Sequence, residues 1–281
     1  MITTQMVFFV SESTAITAEA LGSSILSQFP DGCFQHHYRP FINSPDKAIE
    51  LVEEINRAFT DTGKKPLVFA TMPHSDINNL LKLADCHYYE LFASQVQRVA
   101  ADTGQTPIHR SGLTHGLINQ QSYDNRMDIV NYALNHDDAI NLNNLAAADV
   151  ILVGVSRSGK TPTSLYLALH FGIRVANYPL TEDDFDRNEL PQTILAQHDK
   201  LLALTIQPQR LTKIREKRNP GSNYATLTNC RSEVKKALEL YRRHQLDILD
   251  VTTSSIEELA AKIMRIRDLE PRHQTLTGDE L

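Results

Sequence analysis

Short apolar runs and amphipathic stretches alternate along the whole chain. Residues 5–10 (QMVFFV), 66–71 (PLVFAT), 150–153 (VILV), 173–178 (IRVANY), 200–206 (KLLALTI) and 246–251 (LDILDV) have the length and composition of buried parallel strands. Residues 33–42 are polar enough for an edge strand, and 86–91 form another short extended run. Between these runs apolar residues recur at helical spacing: Ala18, Leu21, Ile25 and Phe29; Ile49, Val52, Ile55 and Phe59; Met127, Val130 and Leu134; Val234, Leu238 and Tyr241. Local signals sharpen the ends. Ser44-Pro45-Asp46 is a helix start and Gly63 a stop. One of Ser13, Thr14 or Thr17 is expected to cap the first helix, in a hydroxyl-rich turn that is also a candidate anion site, and Ser254 with Glu257 has capping-box spacing. The alternation predicts an α/β protein of two halves with largely parallel sheets, 1–145 and 146–281.

Several polar segments interrupt this rhythm. Residues 104–123 have no period and carry His109, Arg110, Ser111, His115, Asn119 and Gln120. A connection this long in a compact protein points to function or mobility. Asp137 and Asp138 follow a predicted helix, either as solvated loop residues or as carboxylates that hold a metal or accept a proton. The turn Thr181-Glu182-Asp183-Asp184 follows a strand, where ligands sit in open α/β sheets; a plain N-cap explains it equally. Arg210, Lys213, Arg215, Lys217 and Arg218 form a basic run, which reads as a solvated helix face or as a lid over phosphates.

Composition narrows the class. The chain has 281 residues, 41% of them apolar, and a formal charge of -6. That charge argues against general nucleic-acid or membrane-surface binding, and no apolar run reaches membrane-spanning length. Residues 1–5 lack the basic start of an export signal, and the three scattered cysteines suit a reducing compartment, so a cytoplasmic location is expected.

The candidate chemistry sits between the run at 150–153 and the helical pattern that follows. Gly154, Val155, Ser156, Arg157, Ser158, Gly159, Lys160 and Thr161 match G-x-x-x-x-G-K-[ST] in full, in the order strand, glycine loop, helix. Loop amides and a helix N-terminus direct partial positive charge at a polyphosphate, and glycine lets the backbone come close. Lys160 would reach the terminal phosphates, and the Thr161 hydroxyl would ligate Mg²⁺. A switch GTPase also needs N-K-x-D and D-x-x-G, and neither string occurs. A compact second half with basic residues fits a kinase-like phosphotransferase on a P-loop. A nucleotide-sensing module without phosphotransfer and a small-molecule P-loop kinase are the alternatives.

The segments GVSRSGKTPTSLYLA, GIRVANYPLTEDDF, VFFVSESTAITAEALG and DVTTSSIEELA together resemble the phosphoenolpyruvate synthase regulatory proteins, relatives of the pyruvate, phosphate dikinase regulatory proteins. The resemblance spans nearly the whole chain. It implies a bifunctional enzyme. In one direction it would transfer phosphate from ADP to a threonine of phosphoenolpyruvate synthase and release AMP. In the other, inorganic phosphate would attack the phosphothreonine and release pyrophosphate. On this reading residues 154–161 hold ADP, with Lys160 and Arg157 at the transferred group and Thr161 placing Mg²⁺. Asp183 is the first choice for the acid that orients the acceptor, ahead of Asp137 and Asp138. The N-terminal half and residues 104–123 would dock the protein partner, and that half would also serve any homodimer. Ala15 and Ala139 stand where some relatives are expected to have glycine, which would stiffen the turns beside Thr14 and Asp138.

Overall fold

The computed structural model describes residues 4–108, 120–139 and 143–272. The chain forms two compact units, Met1–Gly116 and Leu117–Leu281. The first contains β1 (Gln5–Ser11), α1 (Ile16–Leu26), β2 (Phe34–Arg39), α2 (Pro45–Thr62), β3 (Leu67–Thr71), α3 (Ser75–Leu81), β4 (His87–Glu90) and α4 (Ala93–Thr103). Its sheet has the order β2-β1-β3-β4 with every neighbouring pair parallel.

The second unit begins with α5 (Gln120–Asn135), followed by β5 (Val150–Gly154), α6 (Lys160–Phe171), β6 (Val175–Pro179), α7 (Glu182–Arg187), α8 (Gln192–Leu195), β7 (Leu201–Thr205), α9 (Pro208–Arg218), α10 (Leu227–Arg243), β8 (Asp247–Asp250) and α11 (Ile256–Ile266). Its sheet, β6-β5-β7-β8, is again parallel throughout. The α/β expectation with two parallel sheets therefore holds. The division between units falls before α5 rather than at 145, because Ile129 and Ala133 of α5 bury against Ala168 of α6. Every residue of β5 is buried, and the chain steps from β5 to β6 on one side and returns to β7 on the other. Such a reversal opens a crevice at the carboxyl end of β5.

Several helix faces differ from the expected ones. Helix α1 turns Ala18, Gly22 and Leu26 inward, leaving Leu21, Ile25 and Phe29 exposed. The cause is a close approach: a Cβ on Gly22 would lie 2.5 Å from the Phe9 ring, so the helix can seat only on its glycine. Helix α2 buries Ala48, Leu51 and Ile55 and exposes Ile49. Helix α5 buries Ile129 and Ala133 rather than Leu134, which is exposed. The capping predictions split. Ser44 caps α2 and Gly63 closes it at φ 68°. Helix α1, however, starts from Ala15 at φ 64° with no side-chain cap, and the last capping box is Ser255 with Glu258, one residue later than expected. The described cysteine thiols are free. No helix among the described residues is long and apolar enough to cross a membrane.

Candidate functional site

The loop from Val155 to Gly159 occupies the crevice at the end of β5. A side chain on Gly154 would place a Cβ 2.7 Å from Ser158 Oγ and 3.2 Å from the Leu204 carbonyl oxygen, so the strand must end in glycine. Arg157 and Gly159 both take positive φ, 73° and 86°, and turn the backbone sharply into α6. Among the described residues, the amides of Arg157, Gly159, Lys160 and Thr161 have no hydrogen-bond acceptor within the protein. Such a ring of free N–H groups at a helix start is a concave anion receptor.

Lys160, at the first helical position, folds back over this loop. Its Nζ donates to the Gly154 carbonyl at 3.0 Å and to the Val155 carbonyl at 3.1 Å. Burial pushes its pKa down to about 8, while the nearby Asp138 and Asp137 pull it back up. The Ser158 and Thr163 hydroxyls are buried without partners among the described residues. Both line the cleft above the loop, which has a volume of about 420 Å³. Its polar wall is the loop itself with Asp138. Its apolar lining is Ile206, Ile214, Val251, Ile256 and Leu259, and Arg210, Thr252, Thr253 and Ser254 line it as well. Such a lining combines hydrogen-bond donors with apolar surface.

A carboxylate reaches the loop from an unexpected direction. Asp137 lies in a turn before β5, and the Thr161 hydroxyl hydrogen-bonds its two carboxylate oxygens at 2.9 and 3.0 Å. Asn177 of β6 holds that acid, its Nδ2 donating to Asp137 Oδ1 at 2.6 Å and to Ser164 Oγ at 3.0 Å. The Asn177 amide also donates to the His136 carbonyl at 2.8 Å, tying the turn to the sheet. Asp138 follows at φ 48°. A hydroxyl and a carboxylate are hard oxygen donors of the kind Mg²⁺ takes when phosphates and water complete its shell. Among the described residues no group of His, Cys, Asp and Glu side chains forms a self-sufficient metal cage. The set therefore fits a metal held jointly with a phosphate ligand and does not fit a resident structural ion.

The remaining candidates separate clearly. Asp183 does not line the cleft; its side chain is 78% exposed and pairs with Arg187 one turn along α7 at 3.3 Å. Its neighbour Asp184 completes a capping box with Thr181 and accepts the Tyr178 hydroxyl at 2.9 Å, so the acidic turn works as a helix start. The basic run divides as well. Arg210 faces the cleft, Lys213, Lys217 and Arg218 are exposed, and Arg215 is fully buried. His109, Arg110, Ser111, His115 and Asn119 lie outside the described residues, and Gln120 begins α5. Sequence patterns alone do not single out Asn177, Tyr224 or the hydroxyls of 252–254 as site residues. An asparagine inside the apolar run 173–178, and a hydroxyl cluster just after the last strand, were the available signals.

Comparison with known proteins bears on this geometry. A family model described as Kinase/pyrophosphorylase matches residues 7–264. The "Putative phosphoenolpyruvate synthase regulatory protein" of Thiocapsa roseopersicina is 46% identical over 259 residues, covering 92% of this chain and 96% of its own. Proteins bearing the same name from Azoarcus sp. and Neisseria meningitidis serogroup B are 45% and 43% identical, over 92% and 95% of this chain and 94% and 97% of theirs.

Proposed function

The chain belongs to the kinase/pyrophosphorylase family, and from that premise we propose that it regulates phosphoenolpyruvate synthase by moving phosphate on and off a threonine of that enzyme. The donor in the inactivating direction is ADP. The observation that carries the reading is one cleft lined both by a loop with free amides and a buried lysine and by a set of apolar side chains. The diphosphate sits on the amides of 157–161, and the adenine lies against Ile206, Ile214 and Val251. The Lys160 ammonium leaves its two loop carbonyls to balance the phosphate charge, an exchange of weak acceptors for charged ones.

Asp138, facing the cleft beside Lys160, orients the acceptor hydroxyl and takes its proton. The threonine Oγ then bonds to the β-phosphorus as the bridging Pα–O–Pβ bond breaks on the β side, and AMP leaves with the bridging oxygen. In the reverse reaction an oxygen of inorganic phosphate bonds to the phosphothreonine phosphorus. The threonine Oγ departs with the proton from Asp138, and pyrophosphate forms. Phosphate then occupies the place of the ADP α-phosphate, so one cleft serves both directions. Mg²⁺, held by Thr161 and Asp137, supplies charge neutralisation at the phosphates when bound. Arg157 and Arg210, which line the cleft, bind the remaining phosphate oxygens.

Purified synthase, this protein and ADP labelled in its β-phosphate test the reading directly. Label on a synthase threonine with equimolar AMP is the expected result. ADP binding without label transfer would favour the second reading, a nucleotide sensor, which the free amides alone would also support.

A further inference from the structure

Arg215 lies wholly inside the second unit, directly behind the phosphate loop. Its Nη2 donates to the Ser156 carbonyl at 3.1 Å and to Glu233 Oε2 at 2.7 Å, while Nη1 donates to Glu233 Oε1 at 2.9 Å and to the Tyr224 carbonyl at 3.0 Å. The guanidinium also stacks on the Tyr224 ring, 3.9 Å from its centroid. The Tyr224 hydroxyl in turn donates to Ser156 Oγ at 2.8 Å. Asn229 steadies the carboxylate, donating to Glu233 Oε1 at 2.7 Å.

Both polar ends of Ser156, its carbonyl and its hydroxyl, are thus held from behind. A trans peptide is planar, and its C=O and N–H point in opposite directions. Holding the Ser156 carbonyl against Arg215 therefore sends the Arg157 N–H the other way, and that amide has no acceptor among the described residues. A buried guanidinium is costly to desolvate, and an apolar side chain of similar volume would fill the space at lower cost. Its return is the fixed fork of donors aimed at one loop carbonyl.

We infer that Arg215, Tyr224 and Glu233 form a positioning assembly that presets the amides of the phosphate loop before any phosphate arrives. The inference rests on reading residues 154–161 as a phosphate loop. Preset donors cost no rearrangement on binding, so the assembly sets affinity for the diphosphate. It holds ground state and transition state alike, and so governs KM for ADP more than kcat.

Tyr224→Phe removes only the hydroxyl, and Ser156→Ala removes only its acceptor. In the full chain without nucleotide, hydrogen exchange of the Ser158 amide, which donates to the Val155 carbonyl inside the loop, should quicken about fivefold in either variant, while β5 and β7 keep their protection. ADP titrated calorimetrically should bind about fivefold more weakly to each, and the double variant should be no worse than the single ones. Glu233→Gln should raise KM for ADP and leave kcat within about twofold. Unchanged loop exchange overturns the inference, and so does unchanged ADP affinity in a set whose wild type binds ADP. A fall in melting temperature alone would assign these residues to stability and also overturn it. A wild type that does not bind ADP but loses loop protection on Tyr224→Phe would refute the proposed function and leave the assembly standing.

Discussion

In both units the first strand lies second in a four-stranded parallel sheet, with the chain reversing direction at its carboxyl end. In both, the next helix is entered through a residue of positive φ, Ala15 at 64° in the first unit and Gly159 at 86° in the second. The backbone plan is the same, and the charge placed on it is opposite. At the end of β1 the buried group is Glu12, whose carboxylate accepts the His74 amide at 3.0 Å and contacts the His74 ring. At the end of β5 it is Lys160. A phosphate approaching the first loop meets a desolvated carboxylate, and one approaching the second meets a desolvated ammonium. The second loop also has Gly154 and Gly159 where the first, Ser11-Glu12-Ser13-Thr14-Ala15, has none. A crevice supplied by topology can receive an anion only when the side chains at its floor have the right sign and leave room.

That contrast can be broken most severely at Lys160. Lys160→Met should lower AMP formation from ADP and synthase on the order of a hundredfold or more. The fold should survive, because the substitution relieves the cost of a buried ammonium, and thermal melting checks this. A variant that keeps its rate would remove the distinction between the two loops. Next in size is the choice between acids. Asp138→Asn should slow phosphotransfer about a hundredfold, whereas Asp183→Asn, losing an exposed ion pair, should stay within about twofold. Single-turnover label transfer separates them.

A smaller effect follows from proton linkage. The folded pKa of Lys160 is about 8, against 10.5 for an unperturbed lysine. Between those values the unfolded chain binds more protons than the folded one, so stability without ligand should rise as pH rises through that window. ADP affinity should move the other way, falling by up to about tenfold per pH unit above 8 as the ammonium loses its proton. Denaturant melts and ADP titrations across the window check both signs, with Lys160→Met as the flat reference. The smallest expected effect on nucleotide handling lies in the first unit. Glu12→Gln should cost about 1–3 kcal/mol of stability through the weakened contact with His74 and leave ADP affinity unchanged. A loss of ADP affinity in that variant would mean that the first loop also takes part.

The lesson about legibility comes from particular residues. Lys160 and its acceptor carbonyls on Gly154 and Val155 are six and five positions apart, so loop, lysine and helix start were readable as one local string. The Thr161 to Asp137 contact spans 24 positions, and the Arg215 to Ser156 contact spans 59. No local pattern distinguishes Asp137 from Asp183, or Arg215 from Lys213. Helix faces misled for a related reason: Leu21 and Ile25 are better core residues than Gly22 by hydrophobicity, but only Gly22 lets α1 approach Phe9.

By itself the sequence determined the alternation of strands and helices, the parallel sheets and the glycine loop between β5 and α6. Each of these rests on short-range periodicity or on backbone demands that only glycine meets. The tertiary structure alone decided which acid stands beside Thr161, which cation is buried behind the loop, and which face of each helix turns inward. Those outcomes depend on desolvation and close approach between residues far apart in the chain, and neither quantity exists until the chain has packed.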